Sequence, residues 1–338
     1  MIFNAITLAA ALAATAVSAH GDVDREIAMR SAMLELTSRD LSQCASKLQA
    51  RGFEERAIQR RSETRAKLMK KRGIKARDVD SVLATDHNMT SLAYTVDTDE
   101  SVIFASNGSC TLTPEGESGP YYVGGEFVRS DLVEDVVGVP VHYEFQILDA
   151  DTCEPIVGSY FEIFNCNSTG VYSGTTNAGN GNTADVSVLD LTWLRGLQPT
   201  DDEGVASFDT IFPGHYTGRA THIHTLLHHT NTTVRENGTV YDTTFTHIGQ
   251  TFWDQSVRDQ VELLYPYNTN TQTVTSNADD KVFLVEAPTS DPVFRYVQLG
   301  DSIEDGFLAW MVLSVNTTLA TEVGPAATFY QSGGVESA

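Results

Sequence analysis

From about residue 100 onward the chain runs in short β-branched and aromatic stretches, each cut off by Gly, Asn, Asp or Pro. Val141-His142-Tyr143-Glu144-Phe145-Gln146-Ile147-Leu148 reads as one strand. Tyr160 to Phe164, Lys281 to Val285 and Phe307 to Val315 read as others. Many short strands at this spacing predict an all-β chain folded as an immunoglobulin-like β-sandwich. The sandwich is expected over residues 87–320, long enough for one domain with a sizeable core. Before it, residues 20–86 predict a helical segment. Its stretch from Arg60-Arg61 to Lys70-Lys71-Arg72 is dominated by Ala, Leu, Met, Lys and Arg and lacks proline. Within the sandwich, Thr175 to Thr200 is rich in Gly, Asn and Asp and predicts a long functional loop at the mouth of a site. Residues 321–338 are expected to be a tail, loose from Gly333 to Ala338.

Charge sets the two parts against each other. Between His20 and Asp78 there are 15 Lys and Arg against 9 Asp and Glu, while the rest of the chain carries 7 against 36. The overall charge of −23 argues against nucleic acid as a partner. The basic stretch has three readings: a solvated helix laid on the body, a pair of dibasic processing sites, or a dimer contact.

Residues 1–19 contain the apolar run Ile6 to Ala14 and end in Val17-Ser18-Ala19, as a cleavable secretory signal does. That run is too short to span a bilayer, and no later segment is apolar for long enough. Six N-x-S/T triplets, at Asn88, Asn107, Asn167, Asn231, Asn237 and Asn316, agree with a secreted, extracellular glycoprotein. Four cysteines in an oxidising compartment should pair. The short Cys153–Cys166 loop is the first choice, with Cys44 and Cys110 left to tie the N-terminal segment to the sandwich. Three connectivities remain open on sequence alone.

The chemistry concentrates between Thr169 and His224, in TGVYSG followed by FPGHYTGRATHIH. Tyr172, Tyr216, His222 and His224 offer two phenols and two imidazoles. A free phenol titrates near ~10, but a bound cation stabilises its anion. Phenolate is a hard donor suited to ferric iron, and imidazole serves most first-row metals. In a strand, His222 and His224 share one face with Ile223 on the other. His215, beside Tyr216, is expected to face solvent, the other possibility being a proton relay. His228, His229 and His247 are expected to be surface or structural.

These residues resemble the intradiol ring-cleavage dioxygenases. The matching segments are Gly170-Val171-Tyr172-Ser173, Pro213-Gly214-His215-Tyr216, Arg219 through His224, Gly119 to Val123, and Gln250 downstream. The resemblance spans roughly residues 110 to 315 and keeps the order of its parts. It implies Fe(III) held by Tyr172, Tyr216, His222 and His224, with Tyr216 able to leave. It implies Arg219, helped by Gln250, stabilising charge that develops on the substrate. It further implies a small aromatic diol and O2 as substrates, no reducing cofactor, a muconate-type product, and a homodimer through the N-terminal helices. Two rivals stay open: a dioxygenase for trihydroxybenzenes or substituted catechols, and a secreted sandwich that binds iron or aromatics without turnover.

Overall fold

The computed structural model describes residues 44–73, 120–176, 185–228, 232–242, 244–287 and 291–337. The signal at 1–19, Gly119, Cys110, His229, the sequons at Asn88, Asn107 and Asn231, and residues 177–184 of the long loop lie outside them. Two helices come first, α1 (Ala45–Ala50) and α2 (Phe53–Lys71). The strands follow as β1 (Val123–Gly124), β2 (Glu126–Phe127), β3 (Pro140–Asp149), β4 (Tyr160–Phe164), β5 (Arg195–Pro199), β6 (Val205–Ile211), β7 (His222–His228), β8 (Thr239–Val240) and β9 (Thr244–Phe252). After α3 (Gln255–Val261) and α4 (Lys281–Glu286) come β10 (Arg295–Gln298), β11 (Phe307–Val315), β12 (Thr321–Glu322), β13 (Ala327–Tyr330) and β14 (Gly333–Glu336).

Two sheets form the expected sandwich, one ordered β10-β11-β3-β6 and the other β12-β9-β7-β4-β5. Side-chain alternation explains how they stack. Val141, Tyr143, Phe145 and Ile147 of β3 meet Phe161 and Ile163 of β4 and Ile223 and Leu227 of β7 in one core. The alternate residues face outward, yet most are buried there too, because each sheet carries a second cover. On the first sheet that cover is α2. Leu68 and Met69 pack with Leu308 and Trp310 of β11, and Phe53 packs with Val312 and Leu148. Burying side chains of this size stabilises by roughly 1.5–3 kcal/mol each.

Charge pairing fixes how α2 lies. Glu144 of β3 accepts from Arg60 at 3.0 and 3.1 Å and from Arg61 at 2.8 Å, with the Arg61 guanidinium 5.2 Å from the Trp310 ring centre. The helix is therefore more than a solvated strip, since Arg61 is wholly buried. A processing protease would reach the Arg60-Arg61 bond only after this helix unfolded.

Four expectations are corrected. Lys281 to Val285 is helical, not a strand: the Asp280 side chain accepts from the amides of Val282 and Phe283, and an N-cap of this kind overrides the strand preference of two valines and a phenylalanine. Gly333–Glu336 is no loose tail but pairs with β13, which itself pairs in parallel with β1. The disulfide joins Cys44 to Cys153, with Cα atoms 5.6 Å apart, and Cys166 is a buried free thiol. Cys153 lies in the turn before β4 and Cys166 beyond its far end. A five-residue strand separates such positions by roughly 17 Å, far outside disulfide reach. The long loop is shorter than expected as well, because Val186–Asp190 is a 3-10 turn and Arg195–Pro199 is a strand. Gly334 of β14 sits against the backbone of Leu189, and Glu336 accepts from Thr176. The described parts of this loop thus rest on the C-terminal hairpin.

Candidate metal centre

The second sheet carries its cover on the face opposite the common core. Along β7, Ile223 and Leu227 point inward, so His222, His224, Leu226 and His228 point outward. Over them lie two loops, one bearing Tyr172 after β4 and one bearing Tyr216 after β6.

Glycine lets those loops touch. A Cβ on Gly170, where φ is +78°, would meet the carbonyl oxygen of His215 at 2.1 Å. A Cβ on Gly214 would meet Asn167 O at 2.5 Å and Ser168 at 2.6 Å. No side chain fits either place. Asn167 knits the approach together: its backbone carbonyl accepts from Gly170 N and Gly214 N, and its Oδ1 accepts from Thr169 and Val171.

As a result the four expected ligands meet. His222 Nε2 lies 3.2 Å from His224 Nε2 and 3.1 Å from the Tyr216 hydroxyl. The Tyr172 ring stands 5.6 Å from that of Tyr216 and 5.9 Å from that of His224. All four side chains are at most 2 % exposed. The tautomer of His222 follows from its surroundings. Its Nδ1 lies 2.6 Å from Ala220 O, which can only accept, so Nδ1 carries the proton and Nε2 presents its lone pair to the cluster. Phe164 stacks flat on His224 at 4.4 Å and fixes that ring's plane.

Burial raises the phenols of Tyr172 and Tyr216 well above their ordinary value, against the smaller opposing effect of the nearby Arg219 charge. Buried phenols of this kind become phenolates only beside a strong local cation. Among the described residues, no group of three His, Cys, Asp or Glu side chains could hold a metal. The side chains nearest His222 and His224 that could complete such a set are the two phenols, Tyr216 through its hydroxyl and Tyr172 through its ring. Phenolate and imidazole together fit Fe(III).

Arg219 and Gln250 also join the site. Gln250 sits directly across β9 from His224, and the Arg219 guanidinium donates to its Oε1. Arg219 Nε donates to Asp280 Oδ2 at 2.9 Å. Burial alone would raise the Asp280 carboxyl, but the Arg219 charge and the amides of Phe283 and Ala220 hold it below the ordinary carboxylate range.

No protein-family model and no curated protein sequence matches the chain. Among solved structures, an intradiol ring-cleavage dioxygenase from Tetranychus urticae is similar, with a TM-score of 0.51 and 27% identity over 62% of this chain and 96% of that one. A second structure, described as a dioxygenase, aligns at a TM-score of 0.50 with the same identity and coverage. The fold is that of the intradiol ring-cleavage dioxygenases. In this sandwich Tyr172, Tyr216, His222 and His224 occupy two loops and one strand of a single sheet face.

One expectation about a neighbouring histidine changes, and an open choice about two others closes. His215 does not face solvent: its Nδ1 is 2.8 Å from Glu262 Oε1 and its Nε2 is 2.9 Å from Gln272 O, which braces the Tyr216 loop against the segment after α3. His228 and His247 are structural rather than superficial, each 1 % exposed, with His228 Nε2 2.6 Å from Glu162 Oε2.

Sequence reading missed Arg195 and Asp280. The Arg195 guanidinium lies 4.8 Å from the Phe164 ring and 5.8 Å from that of Tyr172, and it bonds Glu126, Ser173 O and Tyr121 O. No local pattern marks that residue. Asp280 left a trace, because an Asp before an apolar run is an N-cap signature.

Proposed function

We propose that the protein is a secreted, non-haem Fe(III) intradiol dioxygenase that cleaves catechol-type rings between the hydroxyl-bearing carbons. Both atoms of O2 enter the product, a muconate-type diacid, so no reductant is consumed. The observation that carries this reading is the convergence of Tyr172, Tyr216, His222 and His224 on one buried point. The Cys44–Cys153 bond supports passage through an oxidising compartment.

Tyr172, Tyr216, His222 and His224 would hold the iron, which when bound supplies the Lewis acidity that draws protons from the diol and activates its ring towards O2. Ala220 O keeps the proton on His222 Nδ1 and so keeps Nε2 available as a ligand. Tyr216 Oη is placed to take a substrate proton, because burial makes its neutral form the stable one away from a cation. Arg219, held by Asp280 and touching Gln250, aims a fixed positive charge where the substrate gains negative charge. Losing such a donor commonly slows turnover ~10²–10³-fold. Burial of the whole cluster excludes bulk water and strengthens each of these interactions.

Oxygen uptake by iron-reconstituted protein tests the proposal, over a panel of catechol, alkyl- and chlorocatechols and hydroxyquinol. One O2 consumed per diol, with ultraviolet growth of a conjugated dienedioate, is the expected result. Binding of the diols without oxygen uptake would instead leave a non-catalytic aromatic-binding sandwich.

A further inference from the structure

Asp280 lies in the turn before α4, wholly buried, and its carboxylate touches two parts of the centre at once. Oδ1 accepts from the amides of Val282 and Phe283, each at 2.9 Å. Oδ2 accepts from Arg219 Nε at 2.9 Å and from Ala220 N at 2.6 Å. The same Ala220 residue offers its carbonyl to His222 Nδ1. A single carboxylate thus ties the start of α4 to the guanidinium and, one peptide away, to a candidate ligand ring.

Capping alone does not call for this residue. Ser or Asn would cap a short helix equally well, without the desolvation cost of an ionised carboxylate. What Asp adds is a negative, planar acceptor for a planar cation. Arg219 then has its Nε edge on Asp280 and its Nη2 on Gln250, so the guanidinium plane is set from two sides.

We propose that Asp280 is a positioning residue of the centre, fixing the plane of the Arg219 guanidinium and, through Ala220, the ring of His222. The proposal rests on the function stated above and names a residue which that function does not require by itself. Asp280→Asn keeps the volume and a capping oxygen while removing the charge. Folded Asp280→Asn protein is expected to turn over about 10–100-fold more slowly, with little change in KM for the diol. The double variant with Arg219→Met is expected to be only slightly slower than Arg219→Met alone, whereas independent damage would multiply the two losses.

A second readout needs neither iron nor turnover. In the iron-free protein, the Arg219 Nε proton should exchange slowly with solvent and become fast in Asp280→Asn, as followed by nitrogen-edited NMR. Parent-like turnover in folded Asp280→Asn, multiplicative losses in the cycle, or unchanged protection of that proton would overturn the proposal. A parent protein inert towards every diol defeats the proposed function instead. The exchange measurement then decides this one, lost protection supporting it and retained protection overturning it.

Discussion

Gly170 and Gly214 govern where the two phenols sit, because each allows a backbone approach that a Cβ would block. That role was legible only as part of the TGVYSG and FPGHY segments, since a glycine by itself does not say which chain it will meet. The four candidate ligands were legible for a different reason: Tyr and His in this order carry their chemistry in their side chains. His215 was not, because its partners Glu262 and Gln272 are distant in sequence. His228 shows the same limit and yields a pH test. Burial disfavours its charged form, but Asp242 and Glu162 outweigh burial and raise its pKa. A raised histidine contributes its stabilisation fully below the unfolded value of ~6.5 and loses it as pH climbs through the folded value. His228→Gln is therefore expected to lower the thermal midpoint most near about pH 5.5, with the gap narrowing towards about pH 9. A gap that widens with pH would contradict this assignment of charge.

At the scale of elements, the strands that read best were those with one strict pattern. Phe307 to Val315 is a strand with those bounds, and the expected Val141 to Leu148 lies within Pro140–Asp149. α4 was misread because Val282, Phe283 and Val285 are β-branched or aromatic, while the deciding interaction is the Asp280 cap. The disulfide was misjudged because loop length ignores strand direction. Cys44–Cys153 fastens the residue that precedes α1 to the turn before β4 across a separation of 109 residues. Replacing both cysteines by Ala is expected to cost about 2–4 kcal/mol in denaturant unfolding, chiefly through the freer unfolded chain. Peptide mapping without reduction should recover a Cys44–Cys153 linked pair. Cys166, whose thiol burial pushes up to about 12, should alkylate only after denaturation. A Cys153–Cys166 linked peptide would reverse the assignment.

Across the whole molecule, the sandwich separates two tasks. α2 covers the outer face of one sheet, with Glu144 as its charged anchor, and the ligand loops cover the outer face of the other. The sequence announced both covers, one as a basic helical stretch and one as a motif, but not that they lie on opposite faces. Sheet order settles that, and it depends on pairings such as the parallel β3–β11 ladder between residues far apart in the chain. Damage on the helix side should therefore weaken the fold while leaving the centre's composition intact. The central claim is that two phenols and two imidazoles jointly take up one ferric ion. It is tested most directly by loading the protein with Fe(III) and recording metal content together with visible absorption. One iron per chain, a wine-red tyrosinate band, and a band shifted or weakened in both Tyr172→Phe and Tyr216→Phe is the expected result. Colourless protein that takes up no stoichiometric iron, or a band untouched by either substitution, would contradict it.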